Sequence, residues 1–372
     1  MRLTKIFSIM LLIELLLSGC IPSHQQENSQ ELQPNKERII SEKEPKNQLN
    51  EKNMKLQLDI KEELFHSVTD WLDGETVFYI INNAEGSEIH TYNLYTGETQ
   101  LFYKSDVPIV QMEANEDKSL FLVHTSPSSY EAELLFFNRD GDIQYQTKLE
   151  SYELSFTWNQ VNHHQLIVTS FKEDWSYQTQ MIDIQERQII ENPIDIPFIQ
   201  WVSNQQVSYL KWDQEEPSLT APLYLHNLND QKETIISEHV VANTNFKNLL
   251  TTIELIDENG TAVVRFYDSE DQKRVAEMPT RLVALYSDWN IPYHDFDITD
   301  NLYYMFEVNE EKNDYSLVSF SPKTGEKMTV IDSIENFPIK LSPNGEFALY
   351  GPRFEKIIDL KNKTIKELIS LN

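Results

Sequence analysis

YNLYTGETQ (Tyr92 to Gln100), FNRDGDIQ (Phe137 to Gln144), IDIQERQII (Ile182 to Ile190), HNLNDQKET (His226 to Thr234), YDSEDQKRV (Tyr267 to Val275), FSPKTGEKM (Phe320 to Met328) and IDLKNKTIK (Ile358 to Lys366) are seven copies of one local pattern, an apolar run, a polar turn and a second run. Marked by their first residues, the copies lie 45, 45, 44, 41, 53 and 38 residues apart, a period near 44. Each is preceded by a further strand-like run: Val77 to Ile81, Leu120 to His124, Leu166 to Ser170, Val207 to Lys211, Leu249 to Leu255, Leu302 to Phe306 and Phe347 to Tyr350. Before most of these lies a shorter run ending in a turn, as in Phe156-Thr157-Trp158-Asn159, Ile199 to Asn204 and Ile339 to Gly345. Four short strands in each period of this length form one propeller blade. Thr96-Gly97, Asp140-Gly141 and Thr324-Gly325 supply the positive φ that tight hairpins need.

A four-stranded sheet cannot cover both of its faces, so the copies must stack about an axis. The reading is therefore an all-β fold, a β-propeller, with seven blades favoured. Six are permitted, because the fifth copy has an indistinct first strand around Val240 to Phe246. A long β-sandwich would use the same pattern without requiring equal spacing. Met54 to Ile60 (MKLQLDI) is expected to add an outer strand beside the final hairpin, closing the ring and removing open edges.

Outward from the repeats, the N-terminus has the form of an export signal. Arg2 and Lys5 precede an apolar run from Ile6 to Leu17, too short for a comfortable membrane span, and Leu17-Ser18-Gly19-Cys20 follows at once. The expected division is residues 1–19 as signal peptide, 20–55 as lipidated cysteine and flexible tether, and 56–372 as the propeller. Cys20 is the only cysteine in the chain, which rules out a disulfide or a cysteine-based metal site. From Ile21 to about Lys55 the chain is rich in Gln, Asn, Glu, Lys and Ser and has no aromatic residue, so it cannot bury enough surface to offset its entropy. Such a tether reaches roughly 30 Å.

Leu17-Ser18-Gly19-Cys20 resembles the lipobox of bacterial lipoproteins, although Glu14 within the apolar run departs from the usual pattern. That resemblance implies a diacylglycerol thioether on Cys20, often with an N-acyl chain, and so attachment to the cell membrane on its extracytoplasmic face. Two or more chains are what stable anchoring requires. Together with the tether, the acidic repeats and Ser342 to Pro352 (SPNGEFALYGP), the lipobox makes the chain similar to the YqgU-like propeller lipoproteins of spore-forming Gram-positive bacteria. This likeness implies six blades and carries no assigned activity.

Cleavage before Cys20 would leave 29 basic and 59 acidic side chains, a formal charge of −30. Nucleic acid is thereby an unsuitable partner, since phosphate binding needs a basic patch. Much of this charge serves solubility and keeps the domain monomeric. Connections between second and third strands are nevertheless unusually acidic, with aromatic residues among them. Tyr130, Glu173, Asp174, Trp175, Trp212, Asp213, Glu215 and Glu216 form the candidate binding rim. Carboxylates beside exposed rings suit cationic ligands, basic peptides or sugars.

Enzyme signatures are scarce. The chain has no Gly-x-Ser-x-Gly elbow, His-Glu-x-x-His or glycine-rich phosphate loop. His163-His164 reads as a surface pair, and Asn138 to Asp142 as a hairpin turn rather than a calcium loop. Asp295 and Asp297 share one face of a strand near the axial channel, with His294 beside them; these are weak channel candidates that would suit Ca²⁺ or acid–base work. No other cofactor is implied. The expected role is a binding or scaffold module for a protein, peptide or glycan. The alternative is an extracellular propeller-type hydrolase or lyase with its site in the axial channel.

Overall fold

The computed structural model describes residues 54, 55, 57–213, 215, 218–285, 288–309, 312 and 314–372. The signal peptide, Leu17, Ser18, Gly19, Cys20, nearly all of the tether, and Glu216 lie outside the described residues. The chain divides into Met1–Glu51 and Lys52–Asn372.

The second strands show why the propeller forms. Val77, Phe78, Tyr79 and Ile80 are all buried, and their alternation sends Val77 and Tyr79 into one apolar cluster and Phe78 and Ile80 into another. Tyr303 to Phe306 divide in the same way. A strand apolar on both faces is stable only inside a stack of sheets.

Blade 1 spans residues 65–105, blade 2 109–150, blade 3 153–191, blade 6 294–334 and blade 7 339–367. Each is a four-stranded antiparallel sheet with its strands in chain order. Blades 4 and 5 are fused. The 14-residue strand Glu233–Phe246 is the fourth strand of blade 4 and the first of blade 5, making one seven-stranded sheet across residues 200–281. That continuity is why the first strand of the fifth copy is indistinct in sequence. One apolar cluster fills each of the seven junctions between neighbouring blades, including that between blades 7 and 1.

Closure differs from expectation. Among the described residues of Met54 to Ile60 only Leu58–Ile60 forms a strand, and it pairs in parallel with Ile369–Leu371 as a separate two-stranded sheet rather than joining the final hairpin. The backbone N–H of Lys55 is instead drawn to the Leu94 carbonyl, at 2.8 Å. All four strands of blade 7 come from one continuous run, as do those of blade 1. The seam is held mainly by side chains, as Phe65, Val68 and Trp71 pack against Phe347, Leu349 and Ile357 and the Trp71 indole donates to the Lys340 carbonyl at 3.1 Å, with one backbone bond from the Val68 N–H to the Arg353 carbonyl at 3.0 Å.

Strand alternation fixes two faces. Second-to-third and fourth-to-first connections emerge on one, here the upper face; first-to-second and third-to-fourth connections emerge on the other. Lys55 sits against Thr96 and Gly97 in a third-to-fourth turn, so the chain enters the propeller on the lower face.

Candidate functional site

On the upper face of blades 2–4, exposed aromatic rings follow one another. The rings of Tyr130 and Tyr152 lie 6.3 Å apart, and the Tyr152 N–H donates to the Phe171 carbonyl at 2.8 Å. Phe171 in turn meets Trp175 edge-on at 5.9 Å and stacks on Phe198 at 5.2 Å. Trp175 is 63 % exposed, Phe198 64 % and Trp212 47 %.

Lys172 to Ser176 forms a closed turn that presents the Trp175 indole. The Lys172 N–H donates to the Ser176 carbonyl and the Trp175 N–H to the Lys172 carbonyl. Asp174 accepts both the N–H and the hydroxyl of Ser176, and these bonds hold its carboxyl below the usual range. Trp175 has φ 64°, a left-handed conformation that costs a bulky residue energy. Glu173 beside Trp175, and Asp213 and Glu215 just after Trp212, are exposed. The Glu215 N–H donates to Asp213 at 2.8 Å.

Between blades 3 and 4 lies a crevice of about 970 Å³, lined by Phe198 and Trp212 toward the upper face, by Gln231 of the third-to-fourth turn toward the lower one, and by Asn243 of the shared strand. Phe156 and Tyr209 supply further ring surface, and Gln200, Asn243, Glu233 and His226 supply polar groups. Lys211 is neutralised by Glu233 at 3.3 Å and lies 4.7 Å over the Tyr224 ring. Burial pushes the Tyr209 phenol up, with help from its bond to Glu233, so it remains a neutral donor.

The axial channel carries a different chemistry. A cavity of about 430 Å³ is lined by Asp70, Glu113, Glu116, Lys118, Asp295, Asp297 and Lys340 among others. Asp70 joins three blades. It accepts from Lys118 of blade 2 and Lys340 of blade 7 at 2.9 Å each, and from the Ala114 N–H. Burial works to raise its pKa, but the two ammonium groups outweigh burial and hold the carboxyl well below the usual range. Burial pushes Asp295 up to about 6 and also raises Glu113 and Glu116.

Asp295 and Asp297 both reach this cavity, as their spacing predicts, whereas His294 does not. Alternation turns His294 the other way, against Phe246 and Tyr303. Its Nδ1 donates to the Pro292 carbonyl and its Nε2 accepts from the Thr244 hydroxyl, a neutral arrangement matched by its burial-lowered pKa. Asp295 is occupied by the N–H groups of Leu341 and Phe296. Among the described residues no group of three or more His, Cys, Asp or Glu has the geometry to hold a metal. His163 is not a simple surface residue: Asp117 of blade 2 lies 2.6 Å from its Nδ1. Asn138 to Asp142 is a hairpin turn, with Asn138 accepting from Asp140 and Asp142 and with Gly141 at φ 85°.

Seven blade units stacked about one axis define the chain as a β-propeller. Residues 93–351 match the YqgU-like 6-bladed beta propeller domain, and the chain belongs to that family. The matched stretch holds blades 2–6 whole and only parts of blades 1 and 7; counting fused blades 4 and 5 as one sheet gives six large sheets. An uncharacterized lipoprotein of Bacillus subtilis strain 168, YqgU, is 28 % identical over 354 residues, covering 95 % of this chain and 93 % of its own. The crystal structure of the uncharacterized protein lmo1340 from Listeria monocytogenes is similar at a TM-score of 0.77 and 21 % identity, covering 85 % of this chain and 97 % of that one. The propeller domain of the Trilobed protease from Pyrococcus furiosus, described as having an open velcro topology, gives 0.56 at 13 % identity over 83 % and 98 % of the two chains. An oligogalacturonate lyase in complex with manganese gives 0.54 at 11 % identity over 78 % and 86 %. These structural likenesses concern the fold alone.

Proposed function

We propose that this protein is a membrane-anchored extracytoplasmic lipoprotein whose propeller binds a cationic ligand on the upper face of blades 2–4. The lipobox at Cys20 and the name of the Bacillus relative support the anchor. The observation that carries the binding reading is Trp175: a large ring held exposed, in a costly backbone conformation, by a turn closed by two backbone bonds and by Asp174. A ring ordered before the ligand arrives loses little entropy on binding. Acidic neighbours favour cations, through charge pairing and contact with ring faces. Lys55 enters on the lower face, which leaves this surface clear of the point where the chain joins the propeller.

The test is to titrate the full chain with oligolysine and with oligoglutamate of equal length. Oligolysine binds, more weakly as salt rises, and loses at least tenfold in affinity to Trp175→Gly with Tyr130→Ala. Equal behaviour of the two probes, or full affinity in the double variant, refutes the reading. Attachment is checked separately, by release of Cys20→Ala protein from cells into the medium.

A second reading rests on Asp295, a carboxyl raised to about 6 within an axial cavity. Such a group can serve as a general acid. Loss of a glycan- or peptide-cleaving activity in Asp295→Asn, at a melting temperature no lower than that of wild type, would move the function to the channel.

A further inference from the structure

We infer that the crevice between blades 3 and 4 is a binding site for a short oligosaccharide of amino sugars. The inference rests on the reading of the upper face as the ligand face and adds the class of ligand. The first observation is size. At about 970 Å³ the crevice lies at the top of the roughly 300–1,000 Å³ range of small-molecule pockets, with room for several rings.

The second observation is the lining. Phe156, Phe198, Tyr209 and Trp212 line it together with Gln200, Asn243 and Glu233, whose oxygens retain acceptor capacity beyond their bonds within the protein. A sugar ring has the matching anatomy, with C–H faces that lie on aromatic rings and hydroxyls around its edge. Groups that could compete for ligand charge are already paired: Lys211 with Glu233, and the Tyr209 hydroxyl with the same carboxylate. Asp195 within the crevice, and Asp213 and Glu215 following Trp212 in the chain, add negative charge that suits an amine and opposes a uronic acid or a sulfated sugar.

The third observation is His226. It lines the crevice and is only 7 % exposed; its Nδ1 lies 3.7 Å from Glu233 Oε1, beyond hydrogen-bond distance, and its Nε2 has no hydrogen-bond partner. Native proteins rarely bury a polar ring nitrogen unsatisfied. A hydroxyl or amine of a bound sugar supplies the partner that Nε2 lacks. Its register places it there: His226 pairs with Val207 and Glu233, so it shares the blade 4 face with Tyr209 and Tyr224, toward blade 3.

The experiment titrates the full chain with β-1,4-linked tetraglucosamine, its N-acetylated counterpart, tetragalacturonate and tetralysine, read by calorimetry and tryptophan fluorescence. Tetraglucosamine binds, and Trp212→Ala, Phe198→Ala and His226→Leu each weaken it by about tenfold or more while the melting temperature of Phe198→Ala stays unchanged. Trp175→Gly lowers tetralysine binding more than tetraglucosamine binding. Absence of tetraglucosamine binding at millimolar concentration, or indifference of that binding to both Trp212→Ala and Phe198→Ala, overturns the crevice assignment. Tighter binding of tetragalacturonate overturns the choice of an amino sugar. Tetralysine binding without tetraglucosamine binding sinks the crevice and leaves the face reading standing; binding of neither sinks both.

Discussion

Replacing Asp70 with Asn puts the closure of the ring to a quantitative test. Asp70 is 1 % exposed at its side chain and holds two ammonium groups at 2.9 Å, from Lys118 and Lys340. Asn is nearly the same shape, but its single oxygen can keep only one of the Trp71 and Ala114 N–H groups, which Asp70 accepts on different oxygens, and it leaves both lysines without a counter-charge. Breaking a buried pair from one side costs about 3–5 kcal/mol. At about 2.1 cal/mol/K per residue over some 320 folded residues, that cost lowers the melting temperature by about 4–8 °C at pH 7. Glu113 lines the same cavity and can recover part of the attraction, so Asp70→Asn with Glu113→Gln should fall further than Asp70→Asn alone. pH adds a second check. A carboxyl lowered on folding contributes stability above its unfolded value near 3.8, lost as pH falls through the folded value. The difference between wild type and variant should therefore shrink in acid. Differential scanning calorimetry from pH 7 to pH 3 reads both effects. A variant melting within about 1 °C of wild type at pH 7 would refute the view that Asp70 holds blades 7, 1 and 2 together.

Asp295 has the opposite sign. Raised to about 6, it binds its proton more tightly folded than unfolded, so stability falls as pH rises from about 4 to 6. Asp295→Asn should flatten that slope, gaining up to about 3 kcal/mol relative to wild type between pH 4 and pH 7; a parallel pair of stability curves would exclude it. Gly345→Ala should destabilise by more than about 1 kcal/mol, because the residue has φ 69° and an added Cβ would lie 2.3 Å from Asp297 Oδ2. Denaturant midpoints read this, and an unchanged midpoint would count against it. Trp175→Gly should raise stability by up to about 1 kcal/mol while weakening ligand binding, since glycine relieves the left-handed backbone that the ring's presentation demands; loss of stability together with binding would mean that the indole is structural.

The repeat was legible in sequence because its cause is local. Every third-to-fourth hairpin carries one left-handed residue: Gly97, Gly141 and Gly325 in three blades, and Arg187, Gln231, Gln272 and Lys363 in the others. The glycines announce themselves, and the other four are found only through the alternation of apolar and polar residues around them. Long-range pairing has no such local mark. Nothing in Met54 to Ile60 states that Lys55 will be satisfied by Leu94, or that Leu58–Ile60 will pair in parallel with the C-terminus.

The candidate site divides in the same way. Trp175 and Trp212 could be placed on the upper face from strand order, and the same rule would have placed Tyr152 and Phe198 there, since fourth-to-first connections return to the face used by second-to-third ones. The axial charges needed the copies aligned on their inner strands. Asp70-Trp71, Gln200-Trp201 and Asp295-Phe296 then coincide, each polar residue accepting an N–H from the next blade, at Ala114, Asn245 and Leu341. His226 was visible only as the start of a hairpin. Its meaning depends on burial against a neighbouring blade and on an Nε2 left without a hydrogen-bond partner there, properties of two sheets meeting that no single strand encodes. Those features with a local cause can be read from the chain, whereas the crevice follows from how blades 3 and 4 pack, and the ligand experiments bear on that packing directly.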